Sequence, residues 1–155
     1  MNPLFKKLRI KEQTTILVLN APPSFQAIPA EMETLATVKV NAHDMTEIAF
    51  ALVFVMTQEE INTSITEIAP KLSNDAVIWY SYPKGTSKRY SCDFNRDNGW
   101  ASLGQYGLER VSQVALDEDW SALRFRNVEN IKTITRRESF ALTTEAKKRT
   151  TKRGV

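Results

Sequence analysis

Three apolar runs limit what this chain can fold into: Thr15 to Leu19, Ala49 to Met56 and Ala76 to Tyr82. Each is rich in β-branched and aromatic residues and shows no polar alternation. Runs of that kind are strands covered on both faces, as in a mostly parallel sheet lying under helices. The third run breaks at Pro83 and empties into a polar, basic loop, Lys84-Gly85-Thr86-Ser87-Lys88-Arg89. A strand that ends in a charged loop ahead of a helix is where α/β proteins place their sites.

The remaining elements follow from local signals. Thr57-Gln58-Glu59-Glu60 is a capping box, in which hydroxyl and carboxylate each satisfy an orphan backbone donor. Ile61, Ile65, Ile68, Ala69 and Leu72 then recur at helical spacing until Pro70 ends the helix or kinks it. A second helix is expected from Asn98 to Gln105, with Asp97 as N-cap, Trp100 and Leu103 inward, and Gly107 as the stop. Shorter elements are expected at Pro3–Leu8 (helix), Ser24–Ile28 (one helical turn) and Thr37–Val40 (strand), with a turn at Ser73-Asn74-Asp75. Glu109 to Leu116 and Ser121 to Arg126 alternate in polarity across the acidic turn Asp117-Glu118-Asp119, which reads as an antiparallel hairpin. The sum is one α/β domain with an open, mostly parallel sheet of about six strands and the C-terminal hairpin at its edge.

Charge divides the chain. Residues 127–155 hold eight Lys or Arg against three Glu, a surplus of +5, which leaves −2 for residues 1–126 out of a net +3. We therefore expect an α/β domain over 1–126 and a basic extension or arm over 127–155. The single cysteine, Cys92, and single histidine, His43, exclude a four-ligand zinc site built from these residue types within one chain. No metal is expected. One cysteine, no apolar leader and no run long enough to span a bilayer lead to the expectation of a cytoplasmic protein without membrane contact.

The order of elements resembles a trimmed class I methyltransferase of Rossmann-like topology. The resemblance covers residues 14–126 and rests on Ile68-Ala69-Pro70-Lys71-Leu72 followed by Ala76-Val77-Ile78-Trp79-Tyr80, and on Gly107-Leu108 leading into the hairpin. Leu17-Val18-Leu19-Asn20-Ala21-Pro22, Tyr82-Pro83-Lys84, Asn95 to Trp100 and Trp120 to Arg126 also resemble a family of small uncharacterised bacterial proteins, which implies a fold and no activity. The methyltransferase resemblance implies an S-adenosylmethionine site after the first strand, where a glycine-rich turn lets backbone amides meet the ligand. Here the turn is Asn20-Ala21-Pro22-Pro23, which has no glycine and two residues without an N–H. No cofactor is therefore expected.

The leading expectation is a non-catalytic binding or interaction module with a small anionic ligand at Asn20, Thr57, Tyr82, Lys84 and Arg96. No catalytic residue is assigned. Against that stand a diverged S-adenosylmethionine-dependent methyltransferase-like enzyme and, through the tail, nucleic-acid contact. The tail is read first as a solubilising tail or as an arm packed on a neighbouring subunit of a homo-oligomer, and only then as a nucleic-acid contact. Lys84, Lys88 and Arg89 can form an anion pocket, but a solvated basic loop is the plainer account. Asp93 or Asp97 can act as base beside Arg96, although capping already explains an Asp at 97. Cys92 has no base near it in sequence, so nucleophilic catalysis is not expected. Trp79, Trp100 and Trp120 are read as core.

Overall fold

The computed structural model describes residues 3–25, 27–94 and 98–131. Arg96, Asp97 and residues 132–155 of the basic extension lie outside the described residues, and so do the site role of Arg96 and the cap assigned to Asp97. Six strands form one sheet: β1 (Thr15–Leu19), β2 (Thr37–Lys39), β3 (Ile48–Phe54), β4 (Leu72–Pro83), β5 (Leu108–Ala115) and β6 (Trp120–Asn127). Their order across the sheet is β2-β1-β3-β4-β6-β5. The first four run parallel, and β6 pairs antiparallel with both β4 and β5. The expected open α/β sheet with a C-terminal edge hairpin is the one observed.

Helices α1 (Pro3–Lys7), α2 (Ala27–Met32), α3 (Gln58–Ile68) and α4 (Ala101–Gln105) connect and cover these strands. None among the described residues is long and apolar enough to cross a membrane. The two faces of the sheet bury separate cores. On one, Ile61, Ile65 and Ile68 of α3 and Leu103 of α4 meet Ala51, Val53, Ile78 and Tyr80. On the other, Phe5 and Leu8, from α1 and the turn after it, join Phe25 and Met32 over Ile16, Val18, Phe54 and Trp79. Each fully buried isoleucine of α3 contributes roughly 1.5–3 kcal/mol of burial. The Thr57 capping box is formed: Glu60 N donates to Thr57 Oγ1 at 3.1 Å, and Thr57 N donates to Glu60 Oε1 at 3.1 Å.

Two expectations are corrected. Ser73-Asn74-Asp75 is not a turn before the third apolar strand. It lies within the twelve-residue β4, where the pairing shifts from Ile48–Leu72 to Phe50–Val77. Asp75 takes φ 55°, a left-handed conformation Asp tolerates, so the strand bulges there and continues. The second helix is also shorter than expected. It begins at Ala101 with Trp100 at the cap position and no side-chain cap, so it forms by packing Trp100 and Leu103 into the core.

The bulge is held by Arg126, whose Nε and Nη2 donate to the two Asp75 carboxylate oxygens at 2.7 Å each. Those hydrogen bonds hold the Asp75 carboxyl below its ordinary value of 3.8. A depressed carboxyl pKa contributes stability above the unfolded value and loses it as pH falls through the folded one. Both side chains are about one-third exposed (33% and 36%), so the contribution stays under about 1 kcal/mol. Asp75→Asn should therefore lower stability at pH 7, and the difference from wild type should shrink as pH falls below 3.8, read by urea unfolding at each pH. An equal difference at pH 7 and at pH about 2.5 would contradict the assignment.

Ser81, on β4, is buried, and its Oγ has no hydrogen-bond partner among the described residues. An orphan buried hydroxyl is costly, so Ser81→Ala should raise stability by about 1 kcal/mol in the same assay. A loss of that size would mean the hydroxyl is bonded.

Candidate functional site

In an open α/β sheet the ligand crevice lies beyond the carboxyl ends of the strands, where the chain order reverses. Here that point is between β1 and β3, since β2 lies to one side of β1 and β3 to the other. The chain's own side chains occupy it. After Leu19, Asn20 turns at φ 60°, and its Nδ2 reaches Phe54 O at 3.5 Å, tying the exits of β1 and β3 together. Pro22 is buried, and Pro23 begins a 3-10 turn, Pro23–Phe25, in which Phe25 N donates to Pro22 O at 2.9 Å. That turn drives Phe25, 2% exposed, onto Phe54 with ring centroids 4.9 Å apart. Phe54 packs edge-on against Trp120 at 5.2 Å, and Trp120 meets Tyr90 at 5.1 Å. An adenosine group that needs amides and space after β1 does not fit these residues.

Room exists further along the same edge. A cavity of about 850 Å³ opens where β4 ends beside β6, within the range for small-molecule sites. Tyr82 and Lys84 line it from the exit of β4, Gln113 and Ser121 from the hairpin, and Ser87, Cys92 and Phe94 from the loop over residues 84–94. Gln113, which lines the cavity, donates from Nε2 to Ser121 Oγ at 2.8 Å and to Tyr82 Oη at 3.3 Å, and its Oε1 is an acceptor. Ser87 Oγ donates to Asp119 Oδ1 at 2.8 Å, and Lys84 N donates to Asp119 O at 2.7 Å, so the loop is pinned to the hairpin turn. Arg89 stands 3.8 Å from the same carboxylate. Lys84 is the one lining residue that carries a formal charge among the described residues.

Cys92 does not supply a nucleophile. Its Sγ donates to Phe94 O at 2.9 Å, and burial first, then the Asp93 charge, push the thiol above its ordinary value. Asp93 is no free base either: its Oδ1 accepts from Gln58 N at 2.8 Å, closing the amino end of α3 from a distance. No group of three His, Cys, Asp or Glu that could hold a metal occurs among the described residues.

The expected site residues thus divide. Tyr82 and Lys84 share the cavity. Asn20 and Thr57 sit at the same sheet edge, Asn20 on the β1 exit and Thr57 capping α3, with β3 between β1 and β4. Gln113 and Ser121 were missed. The available signal was a polar Gln113 on the face it shares with Val111 and Ala115 in an alternating run, the place where an apolar residue belongs.

No family model and no curated protein matches the chain. Among solved structures, the N-methyltransferase NodS from Bradyrhizobium japonicum WM9, in complex with S-adenosyl-l-homocysteine, superposes with a TM-score of 0.50 at 12% identity over 81% of this chain and 83% of its own. The fold is that of the class I methyltransferases. The pyocyanin biosynthetic protein PhzM superposes with a TM-score of 0.53 at 8% identity, with 81% of this chain spanning 53% of PhzM. The expectation of a non-catalytic binding module is corrected by these neighbours, which favour the methyltransferase-like alternative.

Gly99 shapes the cavity wall. It adopts φ +98°, and a Cβ there would lie 2.6 Å from Phe94 Cβ. Gly99→Ala should cost about 2 kcal/mol in urea unfolding, because it strains the backbone and pushes Phe94 off its seat. A cost within about 0.5 kcal/mol of zero would show that the loop adapts.

Proposed function

We propose that this protein is a diverged S-adenosylmethionine-dependent methyltransferase-like enzyme whose ligand site has moved from the exit of β1 to the cavity at the exit of β4. The observation that carries the reading is the coincidence of a methyltransferase-type sheet with a closed β1–β3 crevice and an open cavity of about 850 Å³ at the exit of β4 on the same edge. The composition of the cavity supports it. Lys84 suits a ligand carboxylate, Tyr82, Tyr90 and Phe94 suit a flat base, and Gln113 Oε1 suits an amino group. With no carboxylate in the described lining and a protonated thiol at Cys92, the residues present contribute binding and orientation in place of proton transfer.

The reading is tested by calorimetric titration of the full chain with S-adenosyl-l-homocysteine. Saturable heat is expected, weakened about tenfold in Lys84→Ala through loss of a charge-assisted hydrogen bond. Ala115→Trp, at an exposed position on the cavity rim, should abolish it by filling the space. No saturable heat at millimolar ligand, or heat indifferent to both substitutions, would overturn the proposal.

A further inference from the structure

The sheet face opposite the cavity carries an arrangement that the methyltransferase-like reading does not use. Arg124, in the middle of β6, stands opposite Trp79 of β4 and Ser112 of β5. It is only 8% exposed, and its Nε has no hydrogen-bond partner among the described residues. Burying a guanidinium N–H without a partner is costly, and a second arginine nearby adds repulsion. Two are near. Arg126 lies two residues along on the same face, with its guanidinium engaged by both oxygens of Asp75. Buried Glu109 stands opposite Arg126 in the register.

Arg9 comes from α1. The helix ends with Arg9 N donating to Lys6 O at 3.1 Å and Ile10 N to Phe5 O at 3.1 Å, while Arg9 itself takes φ 65°. That is the position where helices favour glycine, so a long charged side chain there is an unusual choice. The turn is fixed against β4 because Trp79 Nε1 donates to Leu8 O at 2.9 Å, which places Arg9 beside the register partner of Trp79, Arg124. Burial, and then the charges of Arg9 and Arg126, depress the pKa of Arg124, while Asp75 opposes them.

We propose that Arg124, Arg9 and Arg126 form an oxyanion site on this face, built to take a phosphate or carboxylate group between the arginines. An oxyanion satisfies the orphan Nε, matches the planar guanidinium fork and offsets the charges of Arg124 and Arg9, while Asp75 already balances Arg126. The site lies on the other side of the sheet from the β4 cavity and does not depend on what that cavity binds.

The test uses the full chain labelled with ¹⁵N-arginine, with the Arg124 Nε–Hε signal assigned by its loss in Arg124→Lys. Inorganic phosphate and acetate are titrated separately at constant ionic strength set with chloride. A saturable displacement of the Arg124 signal is expected, with phosphate alone marking a phosphate site and with both anions a general oxyanion site. Arg9→Gly relieves the left-handed backbone, so it should raise the Tm while weakening anion binding at least about threefold. A purely structural Arg9 would not give that combination. An Arg124 signal unmoved by either anion up to about 50 mM, or an affinity unchanged in Arg9→Gly, would overturn the proposal.

Discussion

Phe54 governs the carboxyl edge of this sheet. It ends β3, the strand beside β1, and it is clamped between Phe25 on one side and Trp120 on the other. The clamp begins with sequence chemistry. Consecutive prolines at 22 and 23 cannot continue a ladder or donate an amide, but their fixed φ suits a 3-10 turn, and that turn delivers Phe25 onto Phe54. Burying two phenylalanines and linking them to Trp120 turns a crevice into core. The apolar burial is worth several kcal/mol, so reopening the crevice for a polar ligand would cost roughly as much.

Closure on one side of β3 has its counterpart on the other. The loop over residues 84–94 straddles the sheet edge: Tyr90 packs with Trp120 against the closed crevice, and Phe94 packs with Tyr82 and Trp100 on the opposite face. The aromatic chain that closes the β1 exit therefore also anchors the loop that walls the β4 cavity. One side of the edge is sealed by apolar contacts. The other is lined by polar ones, with Gln113 bonded to Ser121 and Ser87 to Asp119. The proposed shift of the site along the sheet follows from which residues leave each strand.

Most of the fold was legible in the sequence because the strands are unambiguous. Thr15–Leu19 and Ile48–Phe54 have no polar alternation to misplace, and the Thr57 capping box announces α3. The bulge at Asp75 was not legible, because Ser-Asn-Asp reads as a turn in isolation, and the guanidinium that clamps the Asp75 carboxylate comes from distant Arg126. The site was half legible. Tyr82 and Lys84 follow from the end of a strand, but no local pattern shows that β3 separates β1, whose exit holds Asn20, from β4, or that Thr57 is taken up in capping α3. Gln113 and Ser121 join Tyr82 only through the antiparallel register of β6, a long-range pairing that no local pattern fixes. The closed crevice was legible as missing glycine and missing amides. Phe25 as the residue that fills it was not, because a phenylalanine in a turn carries no signal of where its ring will go.

The most direct test of the displaced site is amide chemical-shift mapping of the ¹⁵N-labelled chain on addition of S-adenosyl-l-homocysteine. Perturbations centred on Tyr82, Lys84 and Gln113, with Leu19, Asn20 and Ala21 unmoved, are the predicted result. Perturbations centred on Leu19 to Ala21, with the β4 exit silent, would contradict it.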